Sequence, residues 1–416
     1  MHIRPTRRQL LTNATVGTTA ALAAISIPEV ATTQQRVVTG ATYNVKDYGA
    51  IGNAVSDDTA AIQAAIDAAA TANGGVVIVP AGQYLLRFPG VVLRRGIILS
   101  GVGCASFPQE GGSWFMLDQN NFEPVTMEVR SQLERVGFHQ NHNAVGSGWA
   151  PTAYPFTIRV NGDDCVLQQI FLLNTYEGIA VGNIGKNVGR VFIDKVYGQP
   201  FRRGIVIYHS QDVNRISNVH FWPYWNSSVD VKAWTVGNGI GFVSHRNDNP
   251  LYSNCFAFNY DTGFLFENST DGVTSKFHMV NCEADYCRIG IKIVANNSPF
   301  IGGNNHTGQL TNWTSQGSEY EGSIGIQITQ GSGHNSLFCS NVRLSDYHLN
   351  GVRIDGENNF VAFDSVWIDG WNRQGNGWPG FEVVQASSSI IVGHTRRLTN
   401  GQGASVTGGS GTIAMA

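Results

Sequence analysis

The chain has 416 residues, of which 49 are glycine, 42% are hydrophobic and only 14% are charged, with a formal net charge of −3. So little charge on so much apolar content excludes a disordered chain, and a faintly acidic total argues against a nucleic-acid partner. No segment is long and apolar enough to predict a membrane span.

In chain order, Thr6-Arg7-Arg8-Gln9-Leu10-Leu11 comes first, followed by a weakly apolar, Ala-rich stretch through Ile27. It resembles a twin-arginine export signal, so residues 1–31 are expected to be a signal peptide and the protein to be exported, periplasmic or extracellular. Residues 43–86 then join an extended run, a helix and a strand. Ser56 reads as the helix N-cap, Asp57 and Asp58 suit the positive end of the helix dipole, and Ala60, Ile62, Ala65, Ile66 and Ala69 form the apolar stripe. Asn73-Gly74-Gly75 ends the helix, Val76–Val79 reads as a buried strand, and Pro80-Ala81-Gly82 breaks it. Residues 42–100 closely resemble the start of the pectate-lyase-like superfamily, in its rhamnogalacturonase-like and mannuronan-epimerase-like branch. The resemblance implies a right-handed parallel β-helix whose open end is plugged by this helix.

Further along, a Gly-apolar-x-apolar element recurs from Gly178, Gly204, Gly239, Gly263, Gly290, Gly325, Gly351 and Gly380. Its spacing suits coils of three strands, with long insertions at residues 215–236 and 293–323. A second pattern lies between the copies, as in Val166–Ile170, Val213–Val219 and Phe360–Val366. Solenoids grow without splitting, so residues 42–416 are expected to be one all-β domain, with the cap at about 42–100. Alternation points Lys292, Gln327, Arg353 and Glu382 outward in one row. Cys255 and Cys282 lie about one coil apart and are expected to stack inside as free thiols.

The first insertion holds Trp222, Tyr224, Trp225 and Trp234, a density of flat rings that suits sugar CH faces, with Trp225 and Trp234 the better ligand candidates. His245 and Arg246 follow one coil later as further substrate-binding candidates. The second insertion, around His306 and Trp313, reads as the opposite wall of a groove. For β-elimination in a uronic-acid polymer, Arg202 or Arg203 would clamp the carboxylate and His220 or Lys232 would accept the proton. For hydrolysis, Asp261, Glu283 and Asp285 supply the carboxyl groups, with Glu283 and Asp285 on one face of a strand.

Asp163-Asp164-Cys165 and Arg288–Lys292 superficially resemble polygalacturonase-type hydrolases, but the intervening Gly-His-Gly is missing, and the two aspartates read as turn residues. The Asp-Pro-His motif of epimerase relatives is also missing. No zinc spacing appears, and calcium enters only because the family implies it. The expectation is therefore an enzyme acting on an extracellular, acidic polysaccharide, as a monomer or homotrimer. Lyase chemistry is preferred, with glycoside hydrolysis and non-catalytic polysaccharide binding as alternatives.

Overall fold

Glycine sets the closest contacts in this fold. Strand pairing puts Gly178, Gly204, Gly241, Gly263, Gly290, Gly325, Gly351 and Gly380 one above another in successive coils. A Cβ on Gly325 would sit 2.5 Å from the Gly351 carbonyl oxygen, and one on Gly178 would sit 2.3 Å from that of Gly204. The repeat therefore needs glycine for close approach between coils. In the third of these coils the stacked residue is Gly241 rather than Gly239, which instead ends a helix. Gly325→Ala is expected to cost about 2 kcal/mol through overpacking. Gly237→Ala, in open space on a helix, should gain up to about 1 kcal/mol. Thermal melts of the two variants moving in opposite directions would bear this out.

The structure, a computed structural model, describes residues 41–294, 306–317 and 320–416. The expected export signal lies outside the described residues. Each full coil supplies one strand to a narrow sheet and two to a wide one, and every paired strand is parallel to its neighbour. The fold is a right-handed parallel β-helix, the hand following the rule for parallel crossovers. Gly40–Ala416 forms one compact unit. Val, Ile, Leu and Phe from both sheets fill its interior as a continuous core, and the six cysteines are free thiols, five of them buried.

Helix α1 (Thr59–Thr71) closes one end, burying Ile62, Ala65, Ile66 and Ala69, while Ala60 faces solvent. Ser56 is not its cap. It belongs to the strand Asn53–Asp57, and the Asp57 carboxylate instead accepts the Thr59 N–H at 3.0 Å. Asp58 accepts from the Ile51 and Gly52 amides, which pins the preceding turn.

The two strands that each coil gives the wide sheet meet at a sharp corner in the left-handed region. Asn218, Asn254, Asn281, Asn312 and Asn341 occupy this corner in five successive coils, with φ of 53–54° for these residues. Their side-chain amides bond one to the next at 2.8–3.3 Å. Asparagine tolerates this conformation, and the ladder satisfies its amide.

The first insertion folds into two short strands, a loop and helix α2 (Val229–Asn238), which buries Val231, Thr235 and Val236. In the second, His306 and Trp313 are buried in the solenoid rather than forming a groove wall, and His306 Nδ1 accepts the Thr274 N–H. Residues 295–305 and 318–319 of that insertion lie outside the described residues.

Candidate active site on the narrow sheet

Alternation along the narrow-sheet strands turns every second side chain outward. The strands Arg203–Ser210, Ile240–Asp248 and Thr262–Glu267 lie side by side, with Ile207 opposite Ser244 and Ser244 opposite Phe266. Tyr208, His245 and Glu267, each one residue further along, therefore stand level on the outer face. The Tyr208 and His245 rings stack with centroids 5.1 Å apart and planes 9° apart, close to the inter-strand spacing. His245 Nε2 lies 3.5 Å from Glu267 Oε1, and neither ring nitrogen makes a protein hydrogen bond although the residue is only 9% exposed.

Phe156, Ala180, Val206, Val243 and Leu265 form an apolar floor beside these groups. Two half-buried ion pairs frame it. Arg203 Nε bonds both oxygens of Glu177 at 2.8 and 3.0 Å, and Arg159 bonds Glu123 at 2.5 and 2.9 Å. Both guanidinium groups lie over the Phe156 ring, and Arg203 Nη1 donates to the Tyr208 hydroxyl at 3.2 Å. At the strand starts, Arg202 donates to the carbonyl of Asn238 at the end of α2. Opposite, Asp271 accepts the Gly185 amide and lies 3.3 Å from His209 Nδ1, which draws the loops around 183–187 and 268–272 together as the other edge.

The electrostatics follow from burial. Desolvation, reinforced by Arg203, brings His245 down to about 4, so it is a neutral imidazole at ordinary pH. Desolvation pushes Glu267 upward, opposed by Arg203, Lys292 and Arg202. Glu177 is likewise raised by burial against the pull of Arg203. Lys292 stands in register with Leu265 on the next strand. Among the described residues, Arg202 and Lys292 have no carboxylate within ion-pairing distance, unlike Arg159 and Arg203.

The expected site residues divide between faces. Arg203 and His245 share the narrow-sheet face with Arg202 beside them, whereas His220 stands on the wide sheet. The pairing of Arg203 as clamp with His220 as base is therefore not brought together, and Arg203 is already occupied by Glu177. Lys232 lies on α2, away from the strands. Arg246 turns to Asp248 in a two-pronged ion pair at 2.5 and 3.0 Å. Asp261 is held by Arg288 at the turn into the narrow sheet, while Glu283 and Asp285 share a wide-sheet strand, so the three acids do not converge. Burial raises both Glu283 and Asp285, and their proximity adds to the effect on Glu283.

Among the aromatics, Trp222 is 41% exposed and packs on Phe258, and Tyr224 lies near His220 on the wide sheet. Trp225 packs on Trp149 and Phe201 instead of offering a free sugar platform, and Trp234 lies against Tyr176. These rings tie the insertion and α2 to the coil. In the outer row, Arg353 binds Glu382 and Asp355. The pair Asp163 and Asp164 is neutralised by Arg190, consistent with a turn. Among the described residues no three acids, histidines or cysteines gather where they could hold a metal ion.

Sequence reasoning missed Tyr208, Glu177, Glu267, Arg159 and Glu123. The available signal was the residue four places after each stacked glycine, which is Tyr208, His245 and Glu267 in three successive coils.

Residues 42–122 match the family model described as Rhamnogalacturonase A/epimerase, pectate lyase-like. That segment of the chain is pectate-lyase-like. Mannuronan C5-epimerase AlgE4 of Azotobacter vinelandii is 52% identical to this chain over 95 residues, 21% of this chain and 16% of that protein. Plasmin and fibronectin-binding protein A of Streptococcus pneumoniae is 56% identical over 169 residues, 35% of this chain and 22% of that protein. The alignments thus span well under half of either relative. The solved A-module of the A. vinelandii epimerase AlgE6 shares the fold, with a TM-score of 0.52 at 16% identity, over 90% of this chain and 99% of that one. No helix among the described residues is long and apolar enough to cross a membrane.

Proposed function

We propose that this protein modifies a uronic-acid polysaccharide by removing the proton at C5 of a sugar bound on the outer face of the narrow sheet. The observation that carries the reading is the level trio of Tyr208, neutral His245 and Glu267, flanked by two cations, Arg202 and Lys292, that lack a carboxylate partner among the described residues. A C5 proton becomes acidic only when the adjoining C6 carboxylate is neutralised, and Arg202 and Lys292, neither paired with a carboxylate among the described residues, suit that task. His245 Nε2 takes the proton, and Glu267 stabilises the imidazolium that results. The Tyr208 hydroxyl, positioned by the Arg203 N–H, supplies a proton in the second half of the reaction.

Two outcomes share that first step. Protonation of C5 from the other side inverts the centre, as in the epimerase relatives. Protonation of the departing 4-oxygen as the C4–O bond breaks gives elimination and an unsaturated sugar. Hydrolysis fits less well, because Glu177 is committed to Arg203 and Asp261 to Arg288. The relative named for binding plasmin and fibronectin supports a second reading, a binding protein without turnover.

A panel of neutral and uronic-acid polysaccharides separates these readings. New chain ends with ultraviolet absorbance mean elimination, and a changed ratio of C5 epimers without new ends means epimerisation. New ends without absorbance mean hydrolysis and would overturn the proposal. Binding without change in any polymer supports the second reading.

A further inference from the structure

A cleft lies on the other sheet, outside the site above. It has about 680 Å³ of space and is lined by Arg135, Gln169, Phe171, Lys195, Tyr197 and Tyr224, with the loop around 102–106 as its rim. Strand register places Arg135, Gln169 and Lys195 at the same corner in three successive coils, each with φ of 54–56°. In the next five coils that corner is asparagine, which suits the conformation and joins the amide ladder. Under the cleft, long polar side chains hold the same left-handed backbone and forgo the ladder. Non-glycine residues other than Asn and Asp enter that region at a cost of about 1–2 kcal/mol each. Strain of this kind, kept where a cavity opens, points to use by a ligand.

The charges show which ligand. Asp194, beside Lys195, accepts hydrogen bonds from Ser217 and Asn218 at 2.7 Å. Glu134 accepts from Ser100, Gln132, Gln168 and Arg135. Both acids are thus turned to protein donors, while Lys195 has no ion-pair partner among the described residues. Phe171 and Tyr224 meet edge to face at 5.5 Å, the Tyr224 hydroxyl lies 3.3 Å from His220 Nδ1, and Tyr197 is 40% exposed. A cation and an amide beside exposed aromatic rings match a carboxylated sugar: charge and hydrogen bonds for the carboxylate and hydroxyls, ring faces for the CH groups. We infer that this corner cleft is a second, non-catalytic binding site for a uronate residue, on the opposite sheet of the same solenoid from the reacting chain.

This inference stands on the cleft's own groups and does not require turnover on the narrow sheet. Its test uses the intact protein carrying His245→Ala to prevent turnover, titrated calorimetrically with trimannuronate, trigalacturonate and neutral cellotriose. The His245→Ala protein should bind at least one of the uronates, and adding Lys195→Ala and Tyr197→Ala should weaken that site about tenfold or more. With His245 intact, the Lys195→Ala/Tyr197→Ala protein should keep its rate on short oligouronides wherever the wild type has one. Either of two results overturns the inference: uronate isotherms that do not respond to Lys195→Ala/Tyr197→Ala, or cellotriose binding as tightly as the uronates.

Discussion

His245→Ala should lower turnover of a polyuronate by at least about a hundredfold, in the range for losing a positioned general base, with little effect on substrate affinity. The fold should survive, because the ring faces outward and, among the described residues, stacks on Tyr208 and makes no hydrogen bond. Its protonation gives the pH dependence its sign. Depressed to about 4, the imidazole is ready to accept a proton throughout the neutral range, so the acid limb of the wild-type rate should fall near pH 4 rather than near 6.5. Stability responds in the same window. Between pH 6.5 and 4 the unfolded chain binds a proton that the folded His245 refuses, so stability rises with pH there and is lost on acidification. His142 and His306, also depressed to about 4 by burial, act in the same direction. Rate and melting profiles from pH 4 to 8, with and without His245, measure both effects.

Arg203→Ala is expected to be the most damaging single change to stability around the site. It strips the partner from Glu177, whose side chain is 9% exposed, and leaves a buried carboxylate uncompensated at a cost of about 3 kcal/mol. It also removes the N–H that positions Tyr208, so activity should fall with stability. Arg203→Ala combined with Glu177→Gln should recover much of the stability and little of the activity. Thermal melts and rates of the single and double variants would show this split, and a double variant no more stable than Arg203→Ala would contradict it.

The fold was legible because its constraints are local and repeated. Alternation marks the strands, and the glycine repeat marks where successive coils approach too closely for a Cβ. The helix stripe of Ile62, Ala65, Ile66 and Ala69 was equally plain, while its cap was not, since both Ser56 and Asp57 can accept a helix N–H and only the strand's end decides between them. The site was half legible. Starting the third repeat at Gly239 instead of Gly241 shifted its phase by two residues and hid that His245 stands level with Tyr208 and Glu267. Clustering along the chain also misled. His220 follows Arg203 closely in sequence, yet half a coil carries it to another sheet, and Trp225 and Trp234 of the insertion pack against the coil around α2. Glu177 and Glu123 gave no sequence signal, because their roles come from arginines on neighbouring coils.

Proton exchange at C5 tests the central claim most directly. A polyuronate incubated with the protein in D2O and followed by NMR should either gain deuterium at C5 with inversion or give the 4,5-unsaturated product, and His245→Ala should abolish whichever occurs. A polymer cleaved with its C5 protons intact, or exchange that persists undiminished in His245→Ala, would contradict the assignment of the narrow-sheet face as the reacting site.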